Sequence, residues 1–419
     1  MAGQTHSTLM DLGDVLGWAS QALRSEITAT RRLTAGNARL TVQLTLAGQP
    51  ERHVILRHES GAGPLAGTIF SLDREAAVCR ALEKFDLPVP KVLAEDKASA
   101  TLLTEWLPGE EDSGAAALDD YLRCLGRLHA IDQASLELPG FTASIAGEID
   151  IWNAILSSKT PYDSAVANYG FSRLRESLPV EPSRTVLCHG DAGTGNYLRT
   201  GGRVTAMLDW EMAHFGDPLD DLAWITVRAA QFGIDLGDFG SRVGREYGDG
   251  VNLLDRARIE FWQAFGLLRM LVICLAAAAQ PRSGKERLLQ MTLIPVIEFQ
   301  LLEALAVMEG RSVIDRLNTA PLESESLPAG LLREAAADIN DALLPKIHGD
   351  HSIENWTKRI RNLLKQIASA VPAAHFSADH MSLDALADQT ASRLRWLPAS
   401  CNLARRRLAR LTPAPLAAS

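Results

Sequence analysis

Between Val186 and Trp224 the chain reads VLCHGDAGTGNYLRTGGRVTAMLDWEMAHFGDPLDDLAW, and this stretch restricts the fold more than any other. A short apolar run, Val186-Leu187-Cys188, leads into His189-Gly190-Asp191, and Asn196 follows that aspartate by five positions. A second apolar run, Val204 to Leu208, ends in Asp209. Short apolar runs bounded by turn residues are expected to be buried strands. Two such segments converge a bare carboxylate, an amide and a second carboxylate on one point. The grouping suits magnesium-assisted phosphoryl transfer, in which a base orients a hydroxyl while asparagine and aspartate hold the metal on a triphosphate.

The triplet His-Gly-Asp is weak by itself, because the chain carries it twice: His348-Gly349-Asp350 is followed by Asn355 at the same spacing. Context separates the copies. The second follows Pro345-Lys346 and opens a helical pattern in which Asp350 or Ser352 is a ready N-cap, with no strand-borne carboxylate after it. An isolated Asp209 would read as a strand-end turn residue. Here an apolar strand delivers it, and one aspartate plus one amide suffices for Mg²⁺ bound to substrate phosphates. Glu211 either adds a water-mediated contact or stands exposed. Asp217 and Asp221 lie on the run into a helix, which suits capping and bonding to the catalytic loop. His189 is expected to hold that loop rather than act as the base.

Along the first hundred residues a short amphipathic helix (Met10 to Leu23) precedes two strand patterns between Ile27 and Arg57. A helix over Leu72 to Phe85 and two strands, PVPKVLAED and ATLLTEWL, complete an N-terminal lobe over 1–106. Past Pro108-Gly109 the pattern is mainly helical, giving a second lobe over 107–318 that carries the opening motif. Polar NTAPLESES reads as a linker to a helical extension over 325–419, which ends in the basic Arg405-Arg406-Arg407 and Arg410. The fold class expected is α+β.

A net charge of −9 argues against a nucleic-acid partner. Five scattered cysteines without a CxxC pair fit reduced thiols in a cytoplasmic protein rather than a disulfide framework or zinc site. The N-terminus lacks a signal-peptide pattern. The most apolar run, Met270 to Ala279, is about half a membrane span and follows Arg269, so a buried helix is expected and no membrane partner.

HGDAGTGN and LDWEMAHFGDPLDDLAW, occurring together and in order, resemble the catalytic and metal loops of the aminoglycoside phosphotransferase and choline kinase group of small-molecule kinases. The second string is most similar to the kinase-like domains fused to some acyl-CoA dehydrogenases. The resemblance covers roughly residues 20 to 315 and implies a two-lobed protein-kinase-like fold that uses ATP and Mg²⁺. It implies Asp191 as the catalytic base and Asn196 and Asp209 as metal ligands. In HVILRHES it implies that Arg57, where many such kinases have lysine, binds the α- and β-phosphates; arginine can do so bidentately. Glu75 would pair with Arg57, residues 33–38 would cover the phosphates without the usual glycine richness, and Glu105 and Trp106 would sit at the hinge that bonds adenine.

The expected function is therefore transfer of the ATP γ-phosphate to a hydroxyl of a small molecule. The subgroup suggests a hydroxyacyl-CoA or another catabolic intermediate. The alternatives are an aminoglycoside or other antibiotic kinase, and a non-catalytic nucleotide-binding regulator. Helices over 151–177 and 225–280 are expected to line the acceptor pocket, where Arg173, Arg175, Arg228 and Arg269 hint at an anionic group. A homodimer is compatible with the helical extension.

Overall fold

The computed structural model describes residues 12–33, 39–61, 63–112, 114–141, 144–160, 164–179, 185–247, 255–280, 284–314 and 382–395. Most of the phosphate-covering loop, the second His-Gly-Asp string, the linker, the basic tail and all but one helix of the extension lie outside the described residues.

Helix α1 (Leu12–Leu23) leads into β1 (Ile27–Arg32), β2 (Arg39–Leu46) and β3 (Arg52–Glu59), followed by α2 (Leu72–Leu82), β4 (Val92–Asp96) and β5 (Thr101–Glu105). The five strands form one antiparallel sheet in the order β1-β2-β3-β5-β4. The alternation of β3 decides which residue faces which layer, because successive side chains point to opposite sides. Val54 and Leu56 join Val42, Leu44, Leu46 and Leu103 in a core closed by Val15 and Ala19 of α1. Arg57, one position out of phase, is therefore on the other face, where α2 buries Leu72 and Ala76 against Leu102. Ser71 caps α2, its Oγ accepting from the Arg74 N–H, and the helix buries Glu75 along with Ala76 and Cys79. The stretch from Ile27 onward thus holds three strands rather than two; β1 is an exposed edge strand, without the apolar alternation that marks β2.

The two apolar runs of the opening motif are strands, but they are not partners. Val186–Cys188 (β7) pairs with His214–Gly216 (β10), whereas Arg203–Met207 (β9) pairs with Tyr197–Thr200 (β8), which also pairs with Glu110–Glu111 (β6). The hydrogen bond from the Leu208 N–H to the Asn196 carbonyl, at 2.8 Å, continues the β8/β9 ladder by one step and sets Asn196 beside the residue that precedes Asp209. Around them lie α3 (Leu118–His129), α6 (Pro218–Phe232) and α7 (Phe239–Glu246).

The chain gathers into two compact units. The first draws on Met1–Glu148 and Val180–Trp262, the second on Ile149–Pro179 and Gln263–Thr412. Helices α4 (Ile145–Lys159) and α8 (Arg256–Ala278) start in the first unit and continue in the second, which also contains α5 (Ala165–Glu176), α9 (Gly284–Met308) and α10 (Leu383–Arg395). Within it α9 packs on both α5 and α10. Helix α8 is longer than its most apolar stretch suggested: its 23 residues are long and apolar enough to cross a membrane by length and composition. Of its most apolar window 83% is buried inside the protein, as befits a core helix. Cys79, Cys124, Cys188 and Cys274 are buried free thiols.

Candidate active site

Three carboxylates and two guanidiniums meet above β2 and β3. Arg57 donates from Nη1 to Glu75 Oε1 at 2.5 Å, and its Nη2 lies 2.6 Å from Asp209 Oδ1 and 3.8 Å from Glu211. One planar fork thus bridges a strand, a helix and the loop that carries Asp209, a geometry that a single ammonium could not reproduce. Arg39 pairs with Glu211, pairs with Glu59 at 3.0 Å, and donates to the Phe70 carbonyl at 2.8 Å. Arg39 escaped the sequence reading, although the β2/β3 register sets it directly across from Glu59. Glu211 is neither a bare surface residue nor simply exposed: it is the second acid of this cluster. Burial pushes its carboxyl up to about 7, with Arg39 opposing and Asp209 adding to the rise. Burial also acts on Asp209, yet Arg57 and Arg39 outweigh it and hold that carboxyl below the usual carboxylate range.

Asp209 occupies left-handed backbone (φ 63, ψ 61) between β9 and the short 3-10 turn Trp210–Met212. Such a conformation is costly for a residue with a Cβ and marks a side chain that the surroundings hold in place. Arg74 fixes α2 to the same loop, its Nε and Nη2 both donating to the Ala213 carbonyl at 3.0 and 2.7 Å while the guanidinium covers the Phe141 ring at 3.7 Å.

The loop that carries His189-Gly190-Asp191 is bound from beneath. Asp221 accepts from the His189 and Gly190 backbone N–H groups at 2.7 and 2.8 Å, and its Oδ2 is 2.9 Å from His129 Nε2. His129 Nδ1 in turn meets the Tyr247 hydroxyl at 2.5 Å. Burial raises the Asp221 carboxyl, but the bonds and charge from His129 and the His189 amide prevail and hold it down to about 2. Gly190 has φ +81, and a Cβ there would fall 2.0 Å from the Met212 carbonyl oxygen, so only glycine lets the two loops approach this closely. His189 is fully buried beside the Trp210 ring (centroids 4.4 Å apart), and burial lowers its pKa, in keeping with a neutral structural histidine. Asp217 caps α6 through the Leu219 N–H. Both acids thus do the capping and loop-bonding expected of them.

Asp191 departs from expectation. It is not a bare carboxylate: Oδ1 accepts from Trp224 Nε1 at 2.7 Å and pairs with Arg228, while Oδ2 accepts from Asn196 Nδ2 at 2.6 Å. Asn196 Nδ2 also donates to the Asp191 carbonyl at 2.8 Å, which leaves the amide oxygen as the Asn196 atom available to a cation. The Asp209 side chain keeps 38% exposure. An amide oxygen and an accessible carboxylate are hard oxygen donors, the set that Mg²⁺ takes together with phosphate oxygens. Asp191 and Asp209 both act electrostatically on His189 and on Arg228, so the two ends of the site share one field.

Glu105 ends β5, its N–H bonded to the Lys91 carbonyl at 2.8 Å, and Trp106 follows with its ring edge-on to His53 at 5.4 Å. Of the arginines that hinted at an anionic acceptor, three are ion-paired and one is buried. Arg173 pairs with Glu176 and Glu309, Arg175 with Asp150, Arg228 with Asp191, and Arg269 is buried beside Phe265. Within the helical unit, α4 and α5 border an open surface hollow of about 420 Å³ lined by Asn153, Asn168, Phe171, Ser172, Arg175 and Glu176.

Comparison with known proteins agrees with this geometry. The profile of the phosphotransferase enzyme family matches residues 29–262. Acyl-CoA dehydrogenase family member 11 of Gallus gallus is 28% identical over 218 residues, which are 47% of this chain and 28% of that protein. Acyl-CoA dehydrogenase family member 10 of Mus musculus is 27% identical over 217 residues, 45% of this chain and 19% of that protein. The chain therefore spans less than a third of either relative. Among solved structures, a candidate aminoglycoside phosphotransferase from Ralstonia eutropha JMP134 aligns over 72% of this chain and 98% of its own, at 19% identity and a TM-score of 0.53, a likeness of fold. With its antiparallel sheet and helix followed by a mostly helical region, the chain has the α+β, protein-kinase-like fold and belongs to the phosphotransferase enzyme family.

Proposed function

We propose that this chain is an ATP-dependent kinase that phosphorylates a hydroxyl group of a small molecule. The observation that carries this reading is that Asn196 bonds Asp191 and, across the end of the β8/β9 ladder, faces the residue before Asp209, which Arg57 reaches together with Glu75. In the reaction the acceptor oxygen attacks the γ-phosphorus, the bond to the bridging oxygen breaks with its electrons leaving on ADP, and the hydroxyl proton passes to Asp191. Arg57 binds the α- and β-phosphates, and Glu75 holds its guanidinium in place. Asn196 and Asp209 are the residues that would hold Mg²⁺, which neutralises phosphate charge when bound. Most of the rate comes from positioning and charge compensation, since phosphoryl transfer needs little covalent work from the protein. Glu105 and Trp106, at the end of β5, lie at the hinge assigned to the adenine.

For the acceptor we favour a hydroxyacyl-CoA or related catabolic intermediate, on the likeness to acyl-CoA dehydrogenase family members. An antibiotic is the second candidate. A panel of both classes with Mg·ATP, with Asp191→Ala as the blank, tests the reading. Turnover is expected with one class and is lost in Asp191→Ala while nucleotide still binds. In Asp209→Ala nucleotide binding should lose its Mg²⁺ dependence. Nucleotide binding without turnover of any acceptor would favour the non-catalytic reading instead.

A further inference from the structure

Three residues on one face of α6 grip the catalytic loop. Asp221, Trp224 and Arg228 stand at i, i+3 and i+7, so they project from the same side of the helix. Asp221 holds the loop at the His189 and Gly190 amides. Trp224 and Arg228 hold the Asp191 carboxylate, and Arg228 Nη2 also donates to the Thr194 carbonyl at 3.1 Å.

A carboxylate has about four lone-pair sites, two on each oxygen. Trp224 and Arg228 fill both sites on Asp191 Oδ1, and Asn196 fills one on Oδ2. One site is left, on the oxygen beside Asn196. The Asp191 side chain keeps 24% exposure, so that site is open to an incoming group.

We infer that Trp224 and Arg228 are positioning residues that close Oδ1 and direct the acceptor hydroxyl to Oδ2 of Asp191, next to Asn196. The inference rests on the kinase reading above. The hydroxyl then arrives on the side of the carboxylate where the residue assigned to the metal stands, which aligns it with the phosphoryl group to be transferred. Misalignment of the base is a transition-state defect, so losing either contact should lower kcat and leave the KM for ATP nearly unchanged.

The test uses the full chain, with Mg·ATP hydrolysis by water as the probe reaction and thermal unfolding to check folding. Arg228→Ala is expected to lower kcat by about 10- to 100-fold, the size of a hydrogen bond to a charged group. Added guanidinium should restore part of the loss, which a purely structural defect would not allow. Trp224→Phe keeps the ring and removes the donor, and is expected to lower kcat by about tenfold with the KM for ATP within about twofold. A readout independent of turnover is the Trp224 indole N–H resonance, assigned by its loss in Trp224→Phe. It should move upfield in Asp191→Ala. Wild-type kcat in both variants, a loss confined to KM, or an indole resonance indifferent to Asp191→Ala would each overturn the inference. Turnover unaffected by Asp191→Ala, or absent from the wild-type chain with water and with every acceptor of the panel, would instead remove the kinase reading on which it stands.

Discussion

Arg57 and Arg228 each hold one of the site's two aspartates, yet they reach it by different routes and stand in different company. Arg57 lies among Glu75, Asp209 and Glu211, with Arg39 close by. That end of the site is a shared pool of charge, in which each acid feels two guanidiniums. Arg228 has one carboxylate, Asp191, and beneath that pair lies a row of singly assigned bonds through Asp221, His129 and Tyr247. A shared pool tolerates exchange of partners, such as admission of a phosphate between Arg57 and Asp209. A row in which each side chain has its own fixed partners holds one geometry. On the kinase reading proposed above, the first arrangement would receive the charge of a nucleotide and the second would hold the base still.

The contrast is broken most severely at the fixed end. Asp221→Asn removes a fully buried charge from its partners, and breaking one side of a buried pair costs about 3–5 kcal/mol. Urea denaturation of the variant should show a loss in that range; a loss below about 1 kcal/mol would mean that the row does not hold the loop. The same acid sets a pH dependence. With its native pKa held down to about 2 against an ordinary 3.8, Asp221 contributes stability that is complete above its unfolded pKa and is lost as pH falls through the native value. Stability between pH 4 and pH 2 should therefore fall more steeply in the wild type than in Asp221→Asn.

At the shared end a milder response is expected. Arg57→Ala leaves Glu75, Asp209 and Glu211 with Arg39 as the nearest remaining counter-charge, for a loss of about 2–3 kcal/mol, smaller than that of Asp221→Asn because Asp209 is partly solvated. Arg57→Lys keeps the charge but not the fork, and should retain either Glu75 or Asp209 at a cost of about 1 kcal/mol. Calorimetric titration with Mg·AMP-PNP should show weaker binding in both, with lysine closer to wild type. Equal losses in the two would mean that the fork is not what matters. The smallest effect is expected at Arg74→Lys, which gives up one of two bonds to the Ala213 carbonyl and should lower nucleotide affinity by a few-fold, about 1 kcal/mol.

The two ends also differ in how far the amino-acid sequence reveals them. Asp209 is legible because an apolar strand ends there, whereas Arg57 and Glu75 are reached through the family resemblance of HVILRHES and the helix after it. Strand alternation then accounts for the face on which Arg57 stands. Trp224 and Arg228 lie 33 and 37 residues beyond Asp191, and no local period relates a helix face to a distant loop. The one signal was the i, i+3, i+7 spacing that puts them on the face of Asp221, and it acquires meaning only once Asp221 is known to bond the loop. Arg39 shows the same limit, since its partner Glu59 is set by β2/β3 register. The pairing of the motif strands is a further case. Both apolar runs are strands, but their partners, β10 and β8, follow from turns and loop contacts that apolarity does not encode.

The most direct test of the account is steady-state turnover of Mg·ATP by the full chain and by Asp191→Ala, with nucleotide affinity measured on the same samples. The account predicts that Asp191→Ala binds nucleotide as the wild type does and loses turnover by at least about a thousandfold, as removal of a general base and its aligned partners would cause. Undiminished turnover in Asp191→Ala would contradict it, because Asp191 is the residue assigned to take the acceptor's proton.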